Sequence, residues 1–131
     1  LIKHGVPMHQ AFMWWRGHIA GNAYPPQVNA WVPQVIVGAT AMHAVGAAMA
    51  MARKGEDRVA VALLGDGATS QGDFYEGINF AGVFRAPMIA IIQNNQYAIS
   101  VPVSAQTAAA TLAQKGVAAG VAAIRVDTVC D

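Results

Sequence analysis

The chain has 131 residues, which is enough for one domain with one hydrophobic core. Its formal net charge is +1 and only 11% of its residues are charged, so there is neither a basic stripe nor an acidic tail. Nucleic acid is therefore not expected as a partner. The single cysteine, Cys130, excludes an internal disulfide and is compatible with a reducing compartment.

The first third of the chain predicts loops followed by one long helix. Residues 1–16 are helical in pattern at best, and residues 17–33 contain glycine and proline turn signals. The 18 residues 35–52 carry no formal charge, which raises the alternative of a membrane span. Polar residues and glycines interrupt this stretch, and its apolar residues are mostly alanine. We therefore predict no membrane span but a packed helix over residues 39–54.

Residues 59–100 predict a single βαβ unit. Residues 59–64 form a short apolar run that suits a strand buried on both faces. Gly65-Asp66-Gly67 then offers two residues that are free to adopt positive φ, and Ser70 with Asp73 has the form of a capping box. A helix should follow and stop before Pro87. Residues 88–92 form a second apolar run, which ends abruptly at amide side chains.

Polar residues follow both predicted strands where each strand ends. If the strands are parallel neighbours, Asp66 and Asn95 share the rim of the sheet where ligands bind in α/β proteins. A carboxylate, an amide oxygen and a backbone carbonyl near Tyr97 form an oxygen ligand set suited to Mg²⁺. The amides of the turn and of the helix start favour an anion. These residues therefore predict a site for Mg²⁺ and a diphosphate.

The chain after the βαβ unit is expected to complete the same sheet. Residues 107–119 predict a helix, and residues 123–126 predict one more strand. The chain starts at Leu1 without a methionine and ends at Asp131 in what should be continuing structure. We expect an internal piece of a longer polypeptide.

A specific resemblance attaches to these residues. GDG is followed by the 26 residues 68–93 and then by NN, which resembles the thiamine diphosphate signature. The longer string GDGATSQGDFYEGINFAGVFRAP, with QNNQYAIS after it, is similar to the alpha subunits of 2-oxo acid dehydrogenases of the pyruvate and branched-chain type. The resemblance implies an α/β fold, a mainly parallel sheet with helices on both faces. Residues 1–131 would form a single partial thiamine diphosphate-binding domain.

The resemblance also implies roles for individual residues. Asp66, Asn95 and the backbone carbonyl of Tyr97 would bind Mg²⁺, and the backbone N–H groups of Gly67 and Ala68 would bind the diphosphate. The simpler alternatives are that Asp66 caps the next helix and that Gly67 and Ala68 only form the turn. Asn95 would then be a turn asparagine.

Other parts of the chain would contact the cofactor ring and partner subunits. The backbone around Val37 corresponds to the segment that holds the aminopyrimidine ring. Gly72, Glu76 and Asn79 lie on the helix that the family packs against its partner subunits. No catalytic residue is expected in this chain, because the glutamate that activates the aminopyrimidine belongs to the beta subunit in the family.

By resemblance, we expect an alpha subunit of the decarboxylating component of a 2-oxo acid dehydrogenase complex, with pyruvate the first candidate substrate. The expected partners are a beta subunit in an α2β2 heterotetramer and a lipoyl-bearing acyltransferase, in the cytoplasm or, less favoured, the mitochondrial matrix. We do not expect the isolated segment to be active. Two alternatives stay open: another thiamine diphosphate enzyme, either acetoin dehydrogenase or a transketolase-like protein, and a truncated, non-catalytic interaction subunit.

Overall fold

The structure is a computed structural model that describes residues 1–33 and 35–127. Its contacts divide the chain into two units, Leu1–Val35 and Ile36–Asp131, which are described separately below. Residues 128–131, where the structure was expected to continue, lie outside the described residues, as does Gln34. The single domain expected over residues 1–131 remains a prediction.

The first unit consists of short helices joined by turns. A 3₁₀ helix at Ile2–His4 ends at Gly5, whose φ of 93° favours glycine, and α1 at Met8–Trp15 begins after Pro7. The helical pattern predicted for residues 1–16 is therefore split into two pieces. A second 3₁₀ helix, Ile19–Asn22, returns against α1, and Gly21 packs on the backbone of Trp14 so closely that a Cβ would overlap it.

The loop after the second 3₁₀ helix lines an open depression of about 450 Å³. Its lining consists of Asn22, Tyr24, Pro25, Pro26, Val28, Ala30, Trp31 and Val32. The Tyr24 hydroxyl is buried and has no hydrogen-bond partner among the described residues. Burial raises the pKa of this phenol above its ordinary value of 10.0. Ionisation of the folded phenol therefore requires a higher pH than ionisation of the same phenol in the unfolded chain.

The second unit contains the predicted βαβ unit. Helix α2 spans Ala39–Arg53, close to the predicted 39–54, and strand β1 spans Ala60–Gly65. A five-residue 3₁₀ helix, Asp66–Ser70, follows at once and is called the signature turn below. Helix α3 spans Gly72–Phe84, and strand β2 spans Met88–Gln93. The two strands pair in parallel from Ala60 opposite Met88 to Gly65 opposite Gln93, which confirms the predicted βαβ unit.

One face of this sheet carries the core. Ala62 and Leu64 of β1 pack with Ala41 and Ala44 of α2, and with Phe74 and Ile78 of α3. The outward residues of the strands are exposed, namely Val61, Leu63, Ile89 and Ile91. The α/β class is confirmed. The prediction of a strand buried on both faces is wrong for the described residues, since α2 and α3 cover the same face.

The segment after β2 differs from its prediction. Strands β3, Tyr97–Ala98, and β4, Val101–Pro102, form a small antiparallel hairpin. The helix predicted over residues 107–119 is observed only as the short α5, Ala113–Ala118, and another short helix, α4 at Val103–Gln106, lies before the predicted range. Thr107 is extended between them, and its hydroxyl accepts the Ala109 N–H at 3.2 Å, an interaction that competes with helix formation. Residues 121–127 form no strand, so the prediction of one at 123–126 is wrong.

We expect Tyr24→Phe to raise the stability of the polypeptide by about 1 kcal/mol near pH 7, because a buried hydroxyl without a partner is removed. The difference should widen above about pH 10, where the unfolded phenol ionises before the folded one and the wild type loses stability. Urea unfolding midpoints at the two pH values measure both effects. A clearly destabilised Phe variant would show that the hydroxyl has a partner.

We expect Gly82→Ala to lower stability by about 1–3 kcal/mol, because the added Cβ would overlap the carbonyl oxygen of Ala119, just after α5. Gly46→Ala is the matched control, since a Cβ at that exposed position of α2 meets nothing within 4 Å. The control should gain about 0.5–1 kcal/mol of helix stability. Urea unfolding compares the two, and equal effects would contradict this packing.

Candidate functional site

The parallel pairing of β1 with β2 brings two polar segments to one rim of the sheet. Asp66 comes directly after Gly65, the last residue of β1, and Asn94 and Asn95 come directly after Gln93, the last residue of β2. Because Gly65 and Gln93 are opposite each other in the register, both segments leave the sheet at the same level. The rim predicted from the sequence is therefore present.

The signature turn reaches this position without unusual backbone angles. Gly65 has φ −87° and ψ 168°, and neither Gly65 nor Gly67 has positive φ, so the expected use of these glycines is wrong. Gly67 serves a different purpose: a Cβ at this residue would lie 2.7 Å from the Cβ of Ala98. The missing side chain lets β3 pack directly on the signature turn.

Asp66 is a buried carboxylate, only 1% exposed. Its Oδ2 accepts a hydrogen bond from Gln106 Nε2 at 3.0 Å, and its backbone carbonyl accepts one from the Thr69 hydroxyl at 2.7 Å. Within residues 1–33 and 35–127, no Lys, Arg or His forms an ion pair with it. A buried carboxylate with only a neutral donor is costly unless a cation joins it. The position therefore fits a metal ion.

The alternative role for Asp66, capping of the next helix, is not observed. Helix α3 has Gln71 as its N-cap residue, and no side chain makes a cap hydrogen bond there. The predicted capping box of Ser70 and Asp73 is therefore also wrong; the Ser70 hydroxyl donates to Gln106 Oε1 at 3.4 Å instead.

The two asparagines after β2 shape the turn that follows. Asn94 Oδ1 accepts the Gln96 N–H at 2.9 Å, and Asn95 Oδ1 accepts the Tyr97 N–H at 3.0 Å. The left-handed position of this turn is occupied by Gln96, with φ 72°, and not by either asparagine. Asn95 thus has a turn role, but an amide oxygen has two lone pairs, so a second interaction is open to it.

The carbonyl of Tyr97 is not used by the β3–β4 hairpin. Tyr97 is opposite Pro102, which has no N–H to donate. The Val103 N–H donates to the Gln96 carbonyl at 2.9 Å, so Tyr97 and Pro102 form a non-hydrogen-bonded pair. The Tyr97 carbonyl therefore points away from β4. Its side chain is exposed, which agrees with a role for the backbone alone.

The remaining predicted residues lie around the signature turn. Gly67 and Ala68 are the second and third residues of the signature turn, and Ala68 is completely buried. Val37 is exposed in the turn before α2. The next residue, Gly38, packs so closely on Gln71 that a Cβ would overlap the Gln71 side chain. The segment at Val37 is thereby held next to the end of the signature turn.

Two residues that hold the signature turn were not predicted. Gln106 of α4 contacts Asp66, as described above. Lys115 of α5 is only 6% exposed, and its Nζ donates to the Thr69 carbonyl at 2.6 Å and to the Thr69 hydroxyl at 3.0 Å. The ammonium also lies 5.1 Å from the centre of the Tyr75 ring. Both Gln106 and Lys115 are polar residues in an alanine-rich segment. This contrast is the one sequence signal that could have predicted their role.

Other kinds of site are not found in the described residues. Across residues 1–33 and 35–127, no group of three or more His, Cys, Asp or Glu could hold a metal ion. The oxygen set of one carboxylate, one amide and one carbonyl at the rim is a different type, suited to a hard cation. No helix in this described part of the chain is both long enough and apolar enough to cross a membrane.

The fold and the rim define an α/β protein with a polar site at the carboxyl ends of two parallel strands. The chain belongs to the dehydrogenase E1 component family, which it matches over residues 1–129. It is 54% identical over 127 residues to proteins named pyruvate dehydrogenase E1 component subunit alpha from Bacillus subtilis and Staphylococcus aureus. These matches cover 97% of this chain and 34% of each relative, so the chain spans about a third of their length.

We expect Lys115→Met to lower the free energy of unfolding by about 1–3 kcal/mol, because the buried Thr69 carbonyl loses its donor while the side-chain volume is kept. Lys54→Met is the matched control, because Lys54 is exposed at the end of α2 and should change stability by less than about 0.5 kcal/mol. Urea unfolding measures both variants. Equal small effects would show that the Lys115 contact is dispensable.

Proposed function

We propose that this chain is the cofactor-anchoring part of the alpha subunit of a 2-oxo acid dehydrogenase, with pyruvate as the first candidate substrate. One observation carries the proposal: the buried Asp66 carboxylate at the strand rim has no cationic partner among the described residues. The 54% identity to pyruvate dehydrogenase E1 alpha subunits supports the choice of enzyme.

In this proposal, Asp66, Asn95 and the Tyr97 carbonyl hold Mg²⁺, which binds the diphosphate of thiamine diphosphate. All three are oxygen donors, and the burial of Asp66 together with the unused Tyr97 carbonyl fits this ligand set. Gly67 and Ala68 would offer backbone N–H groups to the diphosphate, since the first N–H groups of a helix lack internal partners. The backbone at Val37 would contact the aminopyrimidine ring.

Thiamine diphosphate supplies the electron sink for decarboxylation of a 2-oxo acid. The proposed contribution of this chain is to bind and orient. Ala98 packs closely on one side of the signature turn at Gly67, and the Gln106 contact holds the Asp66 carboxylate. We assign no catalytic residue to this chain, and we place the activating glutamate on a beta subunit.

Exposed apolar surface supports a role within an assembly. Helix α3 exposes Tyr75, Phe80, Val83 and Phe84, and the Phe80 and Phe84 rings are stacked 5.6 Å apart. Patches of this kind mark protein interfaces. We propose a beta subunit in an α2β2 heterotetramer and a lipoyl-bearing acyltransferase that accepts the acyl group. A cytoplasmic location is proposed because the relatives compared are bacterial.

The same exposed surface also favours the second candidate, a non-catalytic interaction subunit. In that case, Asp66 and Asn95 would be remnants without a cofactor. An acetoin dehydrogenase or a transketolase-like enzyme would share the anchor and differ in its substrate. Cofactor binding separates the interaction subunit from the enzymes, and turnover of pyruvate against acetoin separates the enzymes from one another.

We expect Asp66→Ala to abolish Mg²⁺-dependent binding of thiamine diphosphate, because the proposed metal loses its charged ligand. The loss should exceed the roughly 10–100-fold typical of residues that only support a metal ligand. Calorimetric titration measures it in the polypeptide that carries this chain, produced with its beta subunit. Asp73→Ala is the matched control, because Asp73 is exposed in the first turn of α3 and should bind as the wild type does.

Equal binding by the wild type and the Asp66 variant would remove Asp66 from the site. Absence of binding in the wild-type complex would favour the interaction subunit.

A further inference from the structure

Gln106 connects the signature turn to strand β4 of the hairpin through a single side chain. Its Nε2 donates to Asp66 Oδ2 and to the Val101 carbonyl, both at 3.0 Å. Its Oε1 accepts from the Ser70 hydroxyl at 3.4 Å. Both N–H groups of the Gln106 amide therefore donate hydrogen bonds, and its carbonyl oxygen accepts one. The orientation of this amide is fixed by three partners rather than by one.

These contacts tie Asp66 to the hairpin that carries Tyr97. Val101 belongs to β4, which pairs with β3 at Ala98, the neighbour of Tyr97. A shift of the hairpin relative to the signature turn would stretch one of the two Nε2 hydrogen bonds. Gln106 therefore links the Asp66 carboxylate to the hairpin that carries the Tyr97 carbonyl.

The chemical type of the donor matters as well. An amide is neutral, so it orients the carboxylate without neutralising its charge, whereas a lysine or arginine at this position would compete with a bound cation. The contact also spans 40 positions of the chain, so it is not a by-product of local turn geometry.

We propose that Gln106 is a positioning residue of the metal site, which orients Asp66 and sets its distance from the Tyr97 carbonyl. This inference rests on the proposed function, in which both groups bind Mg²⁺. Residues that orient metal ligands typically contribute 10–100-fold to metal affinity. Gln106 is not proposed to touch substrate or cofactor.

The test uses Mn²⁺ as the probe in the presence of thiamine diphosphate, with free Mn²⁺ measured by electron paramagnetic resonance. The protein is the polypeptide that carries this chain, in complex with its beta subunit. We expect Gln106→Leu, which removes the donor at similar volume, to raise the Mn²⁺ dissociation constant by about 10–100-fold. At saturating Mn²⁺ and thiamine diphosphate, kcat should stay within a few-fold of the wild type, because the ligands themselves remain.

Two further variants sharpen the result. Gln106→Asn keeps an amide but is one methylene shorter, so it cannot reach Asp66 and should show the same loss of Mn²⁺ affinity. Gln114→Leu is the matched control, because Gln114 is exposed on α5 and its Oε1 only accepts the Thr111 N–H at 3.2 Å. This control should bind Mn²⁺ as the wild type does.

Unchanged Mn²⁺ affinity in the Leu and Asn variants, with a lowered thermal midpoint of the metal-free protein, would overturn the proposal and leave Gln106 a structural role. Failure of both variants to fold would overturn it in the same way. If the wild-type complex itself binds no Mn²⁺, the proposed function fails together with this inference. Wild-type binding with unaffected variants rejects the inference alone.

Discussion

The parallel pairing of β1 with β2 is the constraint on which the rest of the second unit depends. Its register sets Gly65 opposite Gln93, so the residues that follow each strand leave the sheet at one level. The turn with Asp66 and the turn with Asn95 therefore become neighbours, although they are far apart in the chain. Any slip of this register would separate them, because each position moves a strand by about 3.3 Å.

Two buried side chains that can carry charge lie at the signature turn, and their partners differ. Asp66 is the first residue of the signature turn, and Lys115 of α5 contacts Thr69 near the end of that turn. Both side chains are buried, yet the described residues offer them only neutral partners. Lys115 is satisfied by the two oxygens of Thr69 and by the Tyr75 ring. Asp66 has a single amide donor on its carboxylate. Because Asp66 has fewer partners than Lys115, we place the proposed cation at Asp66. Lys115 holds the signature turn in place through Thr69.

Local sequence patterns predicted the elements better than the contacts between them. The predicted strand at residues 88–92 is observed as Met88–Gln93, and the predicted helix at 39–54 as Ala39–Arg53. The capping box failed because the Ser70 hydroxyl turns to Gln106 instead of to the start of α3. The glycine prediction failed at Gly67, where close packing of Ala98 rather than positive φ requires the missing side chain.

The sequence alone determined the βαβ unit, its polar rim and the residue types of the proposed site, because apolar runs and turn residues act over a few neighbouring positions. Only the tertiary structure decided which face of the sheet is covered, and that Gln106 and Lys115 hold the signature turn. Their contacts join residues 40 and 46 positions apart. A side-chain hydrogen bond over such a distance leaves no periodic pattern in the sequence, since it depends on where two separate segments meet in space.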